Sequence, residues 1–177
     1  MTGSGGRDVA SFVEKLRGQG AALPPRAPWR AIGFGALGGL IAIGVIAGLT
    51  RGLEEALLLG SFGASCVLVF GVPDVPFSQP RNVVAGHFIS TFLGLGALEV
   101  FGHHWWAPAI GVSAAIGAMM ATRTVHPPAG SNPVIVYLLG SGWTFLWLPT
   151  LVGSLILVAV ALVYNNVTRP SRYPTYW

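Results

Sequence analysis

Two short strings hold the residue types from which an anion site can be built. Gly63-Ala64-Ser65 and Gly130-Ser131-Asn132 each set a glycine before small or polar residues, and the longer strings around them, 63–70 and 130–137, align without gaps. Ser and Asn side chains cap free N–H groups at the start of a helix. A helix that begins there also directs unpaired amides and the positive end of its dipole outward. Two such starts facing each other would hold a small anion on the backbone of Gly63, Ala64, Ser65, Gly130, Ser131 and Asn132. The alternative is that these glycines only let helices approach closely, as small-xxx-small patterns do.

A second pair of strings adds cations and titratable groups. Thr122-Arg123-Thr124-Val125-His126-Pro127-Pro128 ends a helix, because prolines cannot sit in a helix interior and push the preceding residue to extended geometry. Pro127 and Pro128 then form a rigid connection that fixes Arg123 and His126 beside Gly130. Pro80-Arg81-Asn82 precedes His87 in the same way. Arg81 and Arg123 would supply positive potential for an anion; an interfacial role for Arg123 is the alternative. Histidine titrates in the physiological range, so His87 and His126 are candidates for proton coupling or gating, with a hydrogen-bonded structural role for His87 as the other reading. Glu99, His103 and His104 make a poor metal site, and no cofactor or metal is expected. No nucleophile–base pair or acidic dyad emerges; Glu54 and Glu55 are sequence neighbours that point to different sides of a helix. An enzyme is not expected.

What must position these strings is a set of membrane helices. Of 177 residues, 53% are hydrophobic and only 9% charged, with a mean hydropathy of +0.65. Soluble domains carry about 25% charged residues, so this chain faces lipid over much of its surface. Composition excludes disorder, a collagen repeat and a disulfide scaffold, since Cys66 is alone. The net charge of +4 does not indicate a nucleic-acid partner, because the basic residues lie scattered at the ends of apolar runs.

Those runs cover 31–50, 53–72, 82–102, 106–122, 131–147 and 148–167. The first, third and sixth match the length that about 30 Å of hydrocarbon needs. The others are shorter or broken, so four crossings plus two partial ones stands beside six. With six and the N-terminus inside, Arg7, Lys15, Arg17, Arg26, Arg30, Arg81, Arg123, Arg169 and Arg172 fall on the cytoplasmic side and Arg51 alone on the other, a strong positive-inside bias. The expected fold is all-α, a polytopic membrane helix bundle of about six segments. If the 63–70/130–137 alignment reflects structure, it is a 3+3 inverted repeat with halves 31–102 and 106–167. Residues 1–30 read as a cytoplasmic tail with an amphipathic surface helix, built on Val9, Phe12, Val13 and Leu16, and a Pro-rich linker. Residues 168–177 read as a cytoplasmic C-terminal tail. The first apolar run starts too late and is too long for a signal-peptide core.

At these residues the chain resembles the HPP family of integral membrane proteins, named for the tripeptide present as His126-Pro127-Pro128. The resemblance spans residues 30–167. It rests on Phe62-Gly63-Ala64-Ser65, on Gln79-Pro80-Arg81-Asn82 with Gly86-His87, and on Thr122-Arg123 leading into His126-Pro127-Pro128-Ala129-Gly130. Three ordered motifs are specific where the tripeptide alone would be weak. Members in cyanobacteria and plastids are associated with nitrite transport, which implies a small-anion permease. The family is usually described with four transmembrane helices, fewer than the six runs counted here. The expected function is a transporter or channel for a small monovalent anion, nitrite by family likeness, in a bacterial inner membrane with both termini cytoplasmic. A non-transporting membrane scaffold is the alternative. The expected partners are a small anion and the bilayer, and because six short spans leave little interior for a pathway, a homodimer is a candidate as well.

Overall fold

The computed structural model describes residues 12, 14–54 and 56–177. Helix α1, Trp29–Leu53, starts directly after Pro28, whose backbone is extended. Its 25 residues reach ~37 Å at 1.5 Å per residue. Only Gly38, Ala42 and Ile46 are buried, one residue per turn, so α1 packs along a single line and turns its other faces outward. Helix α2 is Gly60–Gly71, regular to Cys66 and widened to a π-turn over Val67–Gly71. Helix α3 is Pro80–Phe101, with its proline in the first turn, where the missing N–H costs nothing. Helix α4 is Ala107–Ala121. A 3₁₀ turn, Pro127–Ser131, runs into α5, Asn132–Leu139. Helix α6 is Leu146–Thr168, interrupted near its start by extended backbone at Leu148 before Pro149. The described residues contain no strand, and the chain is an all-α membrane bundle.

Six segments are present, but among the described residues only α1, α3 and α6 are single helices long and apolar enough, by length and composition, to cross a membrane. The apolar run 53–72 loses its first residues because Glu54 adopts left-handed backbone, φ 55°, and 56–59 are not helical. Helix α2 therefore begins at Gly60 and spans ~18 Å, little more than half the hydrocarbon. The run 131–147 stops at Leu139, where Gly140 takes φ 59°, a geometry that glycine adopts without strain. Hydropathy counts both runs as spans because it measures composition and is blind to where the backbone turns.

Hydrogen bonds between helix ends give the direction of each segment. Tyr164 Oη, near the end of α6, donates to the Phe34 carbonyl near the start of α1 at 2.7 Å. Arg81 at the start of α3 donates to the Thr122 carbonyl past the end of α4 at 3.1 Å. On the opposite side, Tyr137 of α5 donates to the His103 carbonyl after α3, and Trp143 Nε1 donates to Glu99. Successive segments thus alternate in direction, and Trp29 and Thr168 lie on one side.

The halves repeat in register. Helix α2 and the 3₁₀ turn before α5 begin sixty-seven residues apart, at Gly60 and Pro127, and α3 and α6 end with the same spacing, at Phe101 and Thr168. This is the offset of the 63–70/130–137 alignment, but each helical stretch starts three residues before the aligned glycine. The contacts obey it too. A Cβ on Gly86 would lie 3.1 Å from the Thr124 carbonyl, and one on Gly153 would lie 2.6 Å from the Leu57 carbonyl. The long helix of each half therefore lies against the loop that precedes the short helix of the other, with opposite direction.

Gly153 is the tighter of these crossings, since its added Cβ would also fall 2.4 Å from the fully buried Phe62 ring. Neither a carbonyl nor a packed ring can move aside cheaply. Gly153→Ala is expected to destabilise the protein by about 1–3 kcal/mol through overpacking. Thermal unfolding in detergent checks this, and an unchanged midpoint would refute the contact.

Residues 169–177 do not hang free as a tail. Tyr173 is buried and donates to the Ser78 carbonyl at 2.6 Å, while its own N–H and C=O pair with the Asn166 side chain. Burial pushes the Tyr173 phenol up, so it stays a protonated donor. The Thr175 amide donates to Gln79 Oε1, and Tyr176 Oη bonds Asn82 Oδ1. The segment straps the 73–79 connection, an arrangement its interfacial aromatics did not foretell. At the other end, Phe12 and residues 14–16 of the expected surface helix are helical and exposed; Val9, Val13 and the remainder lie outside the described residues.

Candidate functional site

The two short helices meet start to start at mid-height of the long ones. Ser61 Oγ, in the first turn of α2, donates to Oδ1 of Asn132, the first residue of α5, at 2.8 Å. Each segment approaches through an extended residue, Leu59 (φ −118°, ψ 135°) and His126 (φ −134°, ψ 98°). The prolines after His126 enforce this on one side. Around the junction gather Ser61 and Ser65 from one face of α2, and His87, Ser90 and Thr91 from one face of α3. His126, Asn132 and, from α6, Thr150 complete it. Ser65, His87, Ser90, Thr91, His126, Asn132 and Thr150 are all 0% exposed, which in a bundle this small marks the polar centre of the molecule.

Polar groups this deep must be paired, and they are. Asn132 Nδ2 lies 3.1 Å from His87 Nδ1, 3.3 Å from the His87 carbonyl and 2.9 Å from Thr91 Oγ1. Ser65 Oγ lies 2.9 Å from His87 Nε2 and 2.8 Å from His126 Nε2. His126 Nδ1 lies 2.7 Å from the Phe77 carbonyl. Ser90 donates to the Ala129 carbonyl, and Thr91 pairs with Thr150. Edge-on contacts of the His87 ring with Phe62 and with His126 fix its plane. No Asp, Glu, Lys or Arg is among the buried residues described. The centre is polar but uncharged, with the positive ends of two short helices directed toward it.

Of the residues singled out in sequence, Ser65, His87, His126 and Asn132 come together here. Pro128 is buried at the turn beside them and Pro127 is exposed. Gly63 and Ala64 are exposed on the outer face of α2, where Gly63 lines a groove against α1 with Gly35 and Gly39. Gly130 is half-buried; Ser131 is exposed and donates to the Pro128 carbonyl. Arg81 and Arg123 are exposed and outside the cluster, yet near each other, since the carbonyl that Arg81 holds belongs to the residue before Arg123. Arg123 takes left-handed backbone, φ 57°. Ser61, Ser90, Thr91 and Thr150 also belong to the cluster, although no motif in the sequence marks them. Helical spacing would have found the first three: Ser61 precedes Ser65 by one turn, and Ser90 and Thr91 follow His87 by one. No group of three metal-ligating side chains exists among the described residues.

Comparison with known proteins agrees with this architecture. Residues 24–174 match the family model described as HPP, transmembrane region. Two transmembrane proteins of Dictyostelium discoideum are similar. One is 36% identical over 94% of this chain and 57% of its own length, the other 38% identical over 70% of this chain and 46% of its own. The chain thus spans about half the length of these curated relatives. No solved structure matches.

Proposed function

Because the chain belongs to the HPP family of transmembrane proteins, we propose that it transports a small monovalent anion, nitrite being the family-based choice, across a bacterial inner membrane. The observation that carries this is the meeting of two half-length helices, start to start, inside a buried ring of Ser, His, Asn and Thr side chains. Irregular backbone at membrane depth is tolerated where it is buried or lines a pathway, and opposed half-helices mark substrate sites in transporters built from inverted repeats. Helix starts favour an anion. Ser65 and Asn132 supply donors, and His87 and His126 supply protons. Gly63, Ala64, Gly130 and Ser131 shape the two short helices, while Arg81 and Arg123 draw anions toward the side from which His126 is reached. With those arginines cytoplasmic, as the positive-inside bias requires, both ends of the described chain are cytoplasmic.

A second reading, a non-transporting scaffold, is favoured by one observation: the cluster is closed and its hydrogen bonds are internally complete. Purified protein in liposomes separates the two. Transport predicts nitrite uptake above that of empty vesicles, saturable and larger than chloride uptake. Uptake equal to empty vesicles for nitrite, nitrate and formate alike would leave the scaffold.

A further inference from the structure

The hydrogen bonds of the cluster form one chain with a defined polarity. A carbonyl only accepts, so at 2.7 Å from the Phe77 carbonyl the Nδ1 of His126 carries its hydrogen. In the neutral ring Nε2 is then a bare lone pair. The Asn132 side chain has its Nδ2 toward the His87 carbonyl, again an acceptor only, and its Oδ1 toward Ser61 Oγ. Nδ2 therefore donates to His87 Nδ1, which leaves the hydrogen of neutral His87 on Nε2, facing Ser65. Ser65 Oγ sits between, 2.9 Å from a ring nitrogen that donates and 2.8 Å from one that accepts. The order is Asn132 → His87 → Ser65 → His126 → Phe77 carbonyl.

We infer that Ser65 is a proton relay joining His87 and His126, two histidines held in opposite tautomers. The inference deepens the transport reading and rests on it for its use, since the relay would couple proton movement to the anion. A proton arriving on His87 Nδ1, with the Asn132 amide turned so that its Oδ1 faces the new N–H, makes that ring cationic. The His87 Nε2–H bond then breaks as an O–H bond forms on Ser65. The former Ser65 proton leaves for His126 Nε2. One proton has entered and the charge has moved to His126, whose Nδ1–H faces the Phe77 carbonyl. The hydroxyl is intact, now directed at His87, and the His87–Ser65–His126 stretch is reversed while the bond to the Phe77 carbonyl keeps its direction. The Ser61 carbonyl, 3.1 Å from Ser65 Oγ, gives the hydroxyl a third acceptor through which to turn.

The surroundings suit this work. Helix α2 presents Ser61, Ser65 and Phe62 to the pair; α3 presents Thr91 beside His87; the 73–79 connection presents the Phe77 carbonyl; α5 presents Asn132. None is charged, so the two histidines are the titratable groups of the centre among the described residues. Their ring centroids are 4.9 Å apart, and without the hydroxyl their facing nitrogens have no shared partner.

Nitrogen-15 spectra of histidine-labelled protein in lipid test the relay without any substrate. At neutral pH the expected spectrum shows one buried ring protonated at Nε2, lost in His87→Gln, and one protonated at Nδ1, lost in His126→Gln. On acidification the pair should titrate in two coupled steps. In Ser65→Ala the repulsion between the rings remains but proton exchange between them is lost, and Ser65→Thr, which keeps the hydroxyl, restores it. Both rings in the same tautomer, or unchanged exchange in Ser65→Ala, overturns the relay. Should Ser65→Ala not fold, the wild-type tautomers decide. Nitrite uptake by the same preparation is scored separately: absent uptake with the expected tautomers sinks the transport reading and leaves the relay. Uptake with the wrong tautomers does the reverse.

Discussion

Asn132→Leu is expected to lower the stability of the protein by about 3–5 kcal/mol, the upper range for a single substitution. Asn132 is 0% exposed and its amide joins α2, α3 and α5 at once, through Ser61, the side chain and carbonyl of His87, and Thr91. Leucine has the same branching and the same number of side-chain heavy atoms, so the shape is largely kept while these partners lose their hydrogen bonds. A buried polar group left unpaired costs about 1–3 kcal/mol. The groups stranded here, at membrane depth, have no water to turn to. Asn132→Asp sharpens the test. It keeps the shape and the acceptor for Ser61 but removes the donor to His87 and adds a buried charge, so it should be at least as damaging. Unfolding in detergent measures both. A loss below about 1 kcal/mol for either would mean that Asn132 is not the knot tying the half-helices together.

How much of this was legible in sequence follows the physics of each signal. Lipid exposure, helix class and the number of segments came from composition and hydropathy, which report directly on solvent. The repeat was legible in the strings 63–70 and 130–137, although the close contacts that obey it fall at Gly86 and Gly153 and not at Gly63 and Gly130. The start of α2 at Gly60 was not. Nothing between Leu53 and Gly63 breaks the apolar run apart from Glu54-Glu55, and the turn is made by left-handed backbone at Glu54, a conformation unusual for glutamate. The prolines at 127 and 128 did announce the corresponding turn, since proline acts locally and without tertiary help. Within the candidate site, the histidines stood out because ionisable residues in spans are rare. The serines and threonines that satisfy them did not, because hydroxyls are common in membrane helices and acquire meaning only through their partners. Burial, which separates Asn132 from Ser131 and His126 from Arg123, is a property of packing that no local string encodes.

That separation yields the largest contrast in the transport reading. His126→Ala is expected to reduce nitrite uptake by roughly 100-fold, the scale seen when one donor is removed from a dry, preorganised site. His126 is 0% exposed, held by the Phe77 carbonyl on one side and Ser65 on the other. Its loss breaks the relay and leaves Ser65 only the Ser61 carbonyl to take its hydroxyl proton. Arg123→Ala should reduce uptake by no more than about fivefold, the equivalent of ~1 kcal/mol, because an exposed charge acts through water. The two defects should also differ in kind. The Arg123 effect is long-range attraction and fades as ionic strength rises and the screening length falls to a few ångströms. The His126 defect, made of short hydrogen bonds in a closed centre, persists in any salt. Uptake assayed in liposomes at low and high salt reads both differences together. If Arg123→Ala proved as crippling as His126→Ala in high salt, the anion would bind at the arginine turn and the buried cluster would be structural. A salt-independent loss confined to the buried histidine places the working site where the half-helices meet.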